Sequence, residues 1–290
     1  MKIGFLGTGL MGLPMAQRLL TANIELVAYN RTPEKLAPLK SAGAAIATRA
    51  DEVLAACECI ILMLTDASAI RDVLLSPATR QHLAGRAIIQ MGTITPTDSK
   101  AIQQEVTAAG GDYLEAPVLG SIPEARAGKL IVMVGSSPAQ FQQWLSLLQN
   151  FGSEPLHIGA VGSAAAVKLA LNQLIASLTS AFALSLSLIE RQGIDTEVFM
   201  QILRQSALYA PTFDKKLQRM LDRNYDNPNF PTKHLLKDTN LFISEARSLG
   251  LNTNHLEGVR QILELAIAQG LANTDYSALY SAIAPSDSHD

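Results

Sequence analysis

A short apolar run, KIGFL, passes without a break into Gly7-Thr8-Gly9-Leu10-Met11-Gly12 and then into the helix-forming stretch MGLPMAQRLL. Few folds accept three glycines at that spacing between a strand and a helix. Gly7 permits the tight turn, Gly9 lets the backbone approach a pyrophosphate, and Gly12 lets the helix pack closely on the strand. The helix N-terminus, with its unpaired N–H groups, then faces the anion. A second apolar run, ELVAYN, follows where the next strand of such a unit belongs. Gly7, Gly9, Leu10, Met11 and Gly12 are therefore the first candidate cofactor-binding residues.

The rest of the first half keeps the alternation that this opening implies. Candidate strands lie at 2–6, 25–29, 59–64, 87–91, 113–116 and 130–134, with helical stretches such as 14–20 and 33–42 between them. Runs like IILML at 60–64 are apolar throughout, as strands buried on both faces must be. From Ser163 onward the strand signal disappears. A long apolar stretch at 164–189 is followed by amphipathic segments near 196–205, 233–249 and 256–269. The expected fold class is α/β: a Rossmann-type, doubly wound, mainly parallel sheet followed by an all-helical second domain. The small-residue turn in HIGAVGSAAA sets the boundary, giving domains at 1–162 and 163–290, and the polar tail PSDSHD is expected to be disordered.

Composition removes several function classes. With 23 basic against 26 acidic residues and no basic run, the chain offers no footprint for nucleic acid or anionic lipid. Its start lacks the apolar region and cleavage site of a secretory signal, so a cytoplasmic location is expected. The 164–189 stretch is long enough to span a bilayer, but Lys168, Asn172, Gln173, Thr179 and several serines interrupt it, which favours a helix buried among other helices. Cys57 and Cys59 fit neither a CxxC nor a zinc pattern and read as reduced packing residues. The five histidines are scattered without ligand spacing, so no metal is expected.

The second strand ends in Asn30-Arg31-Thr32, without the carboxylate that would accept hydrogen bonds from the ribose hydroxyls of NAD. Arg31, with Lys35 one turn further on, suits a 2′-phosphate, which points to NADP(H). Thr32 and Pro33 also suit the first positions of a helix, and both readings hold together.

Lys168 and Asn172 stand four residues apart, on one helix face, in an otherwise apolar run. A charge there needs compensation, and a desolvated lysine is suited to give a proton to the alkoxide that forms when a carbonyl is reduced. The alternative is a lysine that reaches out from the helix start to solvent.

The fingerprint GTGLMGLPMAQRLL, the NRT after the second strand, EAPVLGSIPEARAGKL, the GxxGxxxxxKxxxN around Lys168, KDTNL at 237–241 and ANTDYSAL at 272–279 occur in an order that resembles the β-hydroxyacid dehydrogenases over nearly the whole chain. Within that family the resemblance is to the NADPH-dependent reductases of glyoxylate, succinic semialdehyde and tartronate semialdehyde. It implies Lys168 as the catalytic acid and base, Asn172 and Thr93 against the substrate, and Gly120 and Ser121 as donors to a substrate carboxylate. It also implies Met63, Leu64, Thr93, Phe230 and Lys237 beside the cofactor, with Lys233 and Asp238 in the same motif, and a homodimer or homotetramer. One departure stands out: Leu119 occupies a place where the family carries a carboxylate-binding serine. A 3-hydroxyisobutyrate-type dehydrogenase, an imine reductase and a non-catalytic dinucleotide-binding module are the alternatives, and Lys168 weighs against the last two.

Overall fold

The computed structural model describes residues 2–285, which divide into two compact units at the Leu169/Ala170 junction. Among the described residues the first unit carries nine strands: β1 (Ile3–Leu6), β2 (Leu26–Tyr29), β3 (Ala45–Ile46), β4 (Cys59–Leu62), β5 (Ala87–Gln90), β6 (Asp112–Glu115), β7 (Val118–Leu119), β8 (Ile131–Gly135) and β9 (Leu156–Gly159). Their order is β3-β2-β1-β4-β5-β6-β8-β7, with β9 beside β8. From β3 to β6 the pairing is parallel, and β8 runs antiparallel to both β6 and β7.

Strand chemistry explains the layers. Every residue of β1, β4 and β5 is buried, and alternate side chains feed two separate cores. Ile3, Phe5, Cys59, Ile61 and Ile89 belong to one core, whereas Leu6, Ile60, Leu62 and Ile88 belong to the other. That is the doubly wound, mainly parallel sheet expected from the sequence. Two of the three unforeseen strands, β3 and β7, are two residues long, and β9 (LHIG) has exposed leading residues. The expected helix at 33–42 is instead a 3₁₀ turn, Pro33–Leu36, and a short α-helix, Ala37–Ser41. Pro38 has no N–H to continue the first turn, which accounts for the change.

The second unit is built of helices. The long helix Ser163–Arg191 supplies its first element from Ala170 onward, so the junction between the units falls inside that helix. Thr196–Gln205, Pro211–Leu221, Thr232–Ser248, Asn254–Ala268 and Leu279–Ile283 complete it. Their core gathers Phe182, Leu186, Met200, Phe213, Leu235 and Leu263. The sequence pattern did not show Pro211–Leu221, whose buried face includes a lysine, Lys216.

Burial of the long helix needs correction. It is long and apolar enough to cross a membrane, yet only 44% of its most apolar window is buried. Ala176, Phe182, Ala183 and Leu186 face the core while Leu174, Leu184 and Leu188 are exposed, so one face is covered and one is not. Cys57 and Cys59 are buried free thiols, and burial pushes Cys57 up to about 11. The expected disorder beyond Pro285 concerns 286–290, which lie outside the described residues, as does His289.

Candidate active site

In the sheet unit the strand order reverses between β1 and β4, because the chain runs outward to β2 and β3 on one side before returning. Such a switch point leaves a crevice at the carboxyl ends of the strands. The glycine loop stands there. Gly7 has φ +99° and a Cβ on it would strike the Met63 carbonyl and approach Leu64 Cδ2 at 2.9 Å; a Cβ on Gly12 would strike the Gly7 carbonyl. Both glycines are therefore demanded by the chain's own packing. Gly9 is different, since a Cβ there meets nothing within 4 Å.

That open space is where a pyrophosphate would lie, and three further observations fit a dinucleotide. Helix Gly12–Thr21 starts at Met11 without a side-chain cap, Gly9 and Leu10 are exposed, and the buried Thr8 Oγ1 has no hydrogen-bond partner. An uncapped helix start is suited to receive an anion. The residues present thus fit a nicotinamide dinucleotide, with Gly9, Leu10, Met11 and Gly12 around its diphosphate.

Asn30 braces the loop. Thr8 N–H donates to its Oδ1 at 3.0 Å and its Nδ2 donates to the Thr32 carbonyl at 3.0 Å, so one amide ties the glycine turn to the end of β2. Thr32 occupies the N-cap position of the 3₁₀ turn but makes no side-chain cap bond. Arg31 and Lys35 are exposed on this edge. Met63 and Leu64 follow β4 and abut Gly7, and Thr93 follows Gly92, whose Cβ would strike the Leu64 carbonyl. Gln90 closes that loop through two hydrogen bonds with the Gly92 backbone. The structure thus brings the glycine loop, 30–32, 63–64 and 92–93 to one edge of the sheet.

The APVLGS segment forms β7 and the start of helix Ile122–Ala127. Gly120, at φ +136°, leaves space that Leu130 and Glu124 fill. Ser121 Oγ and Ser121 N–H both donate to Glu124 Oε2, at 2.6 and 2.8 Å. These two donors, which the family resemblance directs to a substrate carboxylate, are engaged as the helix cap. Leu119 is half-buried beside them.

Lys168 is half-buried in the second turn of the long helix, and Asn172, one turn on, is 3% exposed. In the helical unit Asn172 Nδ2 donates to Asp238 Oδ2 at 2.6 Å, and Lys237 Nζ lies 2.8 Å from Asp238 Oδ1. Asn172 Oδ1 is buried without a hydrogen-bond partner. Asp238 therefore fixes the amide with its carbonyl end free to accept. Phe230 packs edge-on against Tyr276, and Lys233 reaches Asn273 Oδ1 at 2.7 Å.

Sequence reasoning passed over one buried carboxylate. Glu115, at the end of β6, is wholly buried, and its Oε1 accepts from Gly162, Ala164 and Ala165 N–H at 2.8, 2.9 and 3.0 Å. Ser99 Oγ donates to Oε2, and the Tyr113 hydroxyl lies 3.0 Å from Ser99 Oγ. Burial pushes the Glu115 carboxyl above its usual range, with Ser99 and the three amides opposing it.

Comparison with known proteins adds an independent line. Residues 2–162 match the family of the NAD binding domain of 6-phosphogluconate dehydrogenase, and residues 162–283 match the NAD-binding family of NADP-dependent 3-hydroxyisobutyrate dehydrogenase. The chain is 31% identical over 291 residues to glyoxylate/succinic semialdehyde reductase 2, chloroplastic, of Arabidopsis thaliana, covering 100% of this chain and 81% of that one. It is 32% identical over 286 residues to 2-hydroxy-3-oxopropionate reductase of Escherichia coli, covering 98% and 97%. Among solved structures, 3-hydroxyisobutyrate dehydrogenase of Salmonella typhimurium superposes with a TM-score of 0.85 at 25% identity, covering 97% of this chain and 99% of that one.

Proposed function

The chain belongs to the β-hydroxyacid dehydrogenase family, an NAD(P)-dependent oxidoreductase acting on CH–OH groups, and from that premise we propose that it uses NADPH to reduce a small aldehyde or keto acid with Lys168 as proton donor. One observation carries the reading. A lysine stands one turn before a buried asparagine whose amide is locked by a carboxylate and whose carbonyl oxygen is left without a partner. Packing alone gives no reason for that arrangement, since an unanswered buried acceptor costs about 1–3 kcal/mol.

With its diphosphate held by Gly9, Leu10, Met11 and Gly12, a reduced nicotinamide dinucleotide would supply the hydride for the carbonyl carbon. The Lys168 ammonium gives its proton to the oxygen, which would otherwise carry full negative charge. Asn172 Oδ1, fixed by Asp238, accepts a hydrogen bond from that ammonium or from a substrate hydroxyl. In the reverse direction Lys168, deprotonated, takes the hydroxyl proton.

The preference for NADPH rests on Arg31 and Lys35, exposed at the end of β2 where no carboxylate stands. Glyoxylate, succinic semialdehyde and tartronate semialdehyde are the substrates that the matched relatives and the resemblance suggest. Leu119, and a Ser121 engaged with Glu124, leave fewer donors for the carboxylate that all three of these substrates carry. The exposed Leu174, Leu184 and Leu188 suit a second copy of the chain.

Steady-state NADPH oxidation over these three carbonyls, with NADH as comparison, tests the reading. Lys168→Ala is expected to lower kcat on the order of 100-fold or more with the best substrate. Near-normal turnover of that variant, or wild-type indifference between NADPH and NADH, counts against the acid or the cofactor assignment respectively.

A further inference from the structure

Glu115 does not border the glycine loop, and the reduction as derived above makes no use of it. Its surroundings are nevertheless more specific than those of any other carboxylate in the sheet unit. It is fully buried, and one oxygen gathers three backbone donors, Gly162 just before the long helix and Ala164 and Ala165 in its first turn. That helix begins Ser163-Ala-Ala-Ala166 with no acidic residue in its first turn. Its unpaired N–H groups and positive dipole end are answered by a side chain 47 to 50 residues earlier in the sequence.

Space has been kept for this carboxylate. A Cβ on Gly135, in the neighbouring β8, would overlap the Glu115 carboxyl, and Gly162 has φ +100° with Lys100 Cε where its own Cβ would be. On the far side Ser99 donates to Oε2 and lies 3.0 Å from the Tyr113 hydroxyl, so the side chain is held at both oxygens. The last N–H it holds, that of Ala165, is three residues before Lys168, less than one turn of helix.

We propose that Glu115 is a positioning residue for the reduction: by pinning the first turn of the long helix to the end of β6 it sets the depth and rotation at which Lys168 is presented. A local serine cap would close the same helix without fixing it to the sheet. A carboxylate reaching from a strand does both, and a rotation of one residue would turn Lys168 by about 100° around the helix axis. The proposal rests on Lys168 being the proton donor.

Two variants and two readouts test it. Glu115→Gln keeps the size and one accepting oxygen, whereas Glu115→Ala removes the clamp. Hydrogen exchange at amides 162–168 is expected to rise modestly in the Gln variant and strongly in the Ala variant, with β1, β4 and β5 unchanged. In kinetics, kcat is expected to fall about 100-fold in the Ala variant and about 10-fold in the Gln variant, while NADPH dissociation constants and substrate KM stay within about 3-fold of wild type.

Unchanged exchange at 162–168 overturns the clamp whatever Lys168 does. Raised exchange with unchanged kcat overturns the positioning role, and so does a loss of kcat matched by equal losses in NADPH affinity and in protection across the sheet. If Glu115→Ala fails to fold, the Gln variant decides by the same criteria. Failure of the Lys168 reading is separable, because it appears as turnover by Lys168→Ala with the exchange result intact.

Discussion

Two carboxylates, Glu115 in the sheet unit and Asp275 in the helical unit, are each completely buried, and the chain answers them in opposite ways. Among the described residues Glu115 forms no ion pair: three backbone amides and a serine hydroxyl donate to it. Asp275 meets Lys216, whose Nζ donates to both oxygens at 2.7 and 2.9 Å and sits 4.1 Å from the centre of the Tyr276 ring. Burial drives the Lys216 pKa down and Asp275 opposes it. Glu115 is met by three backbone N–H groups at a helix start, whereas Asp275, which accepts one backbone N–H and one hydroxyl from Ser277, is buried together with a second, opposite charge.

The largest effect that this contrast predicts is in the helical unit. Asp275→Ala strands the Lys216 ammonium and also removes the acceptor for Ser277 N–H and Oγ, so a loss of about 3–5 kcal/mol in unfolding free energy is expected by urea titration. Lys216→Met combined with Asp275→Asn keeps the Ser277 cap and removes both charges. It should recover most of that loss. A double variant as unstable as Asp275→Ala would show that the pair is held for more than mutual neutralisation.

In the sheet unit a comparable side-chain deletion should cost less, because the three backbone donors to Glu115 stay in place. Ser99→Ala removes one of four hydrogen bonds to Glu115 and leaves the Tyr113 hydroxyl short of a partner. The expected loss is about 1.5–3 kcal/mol, the usual worth of a hydrogen bond to a charged group. A loss as large as that of Asp275→Ala would erase the distinction between the two solutions.

The same contrast explains what could be read from the sequence. The glycine loop was legible because its chemistry is local: Gly7, Gly9 and Gly12 act within six residues, and of the three only Gly9 has open space where a Cβ would stand. The parallel strands were legible because burial on both faces forces continuous apolar runs. Lys168 and Asn172 stood out as polar residues in an apolar helix. Glu115 did not, since it lies in a strand-like segment and its donors are 47 to 50 residues away. Helix Pro211–Leu221 was missed for a related reason, its buried face being interrupted by Lys216, whose partner comes 59 residues later. Pairings closed by topology leave no period in the sequence.

The smallest effect concerns His234, on the helix that also carries Lys237 and Asp238. Burial, then Lys237 and Lys233, lowers its pKa, with Asp238 acting the other way. The unfolded chain therefore takes up this proton more readily than the folded one. The contribution to stability is complete above the unfolded value of about 6.5 and is lost as pH falls through the lower, folded value. His234→Gln should flatten that part of the acid limb, measured as the difference in urea midpoint between neutral and mildly acidic buffer. An unchanged limb would mean that charge in the helical unit is governed by its buried pairs alone, and the two units would then differ only at Glu115 and Asp275.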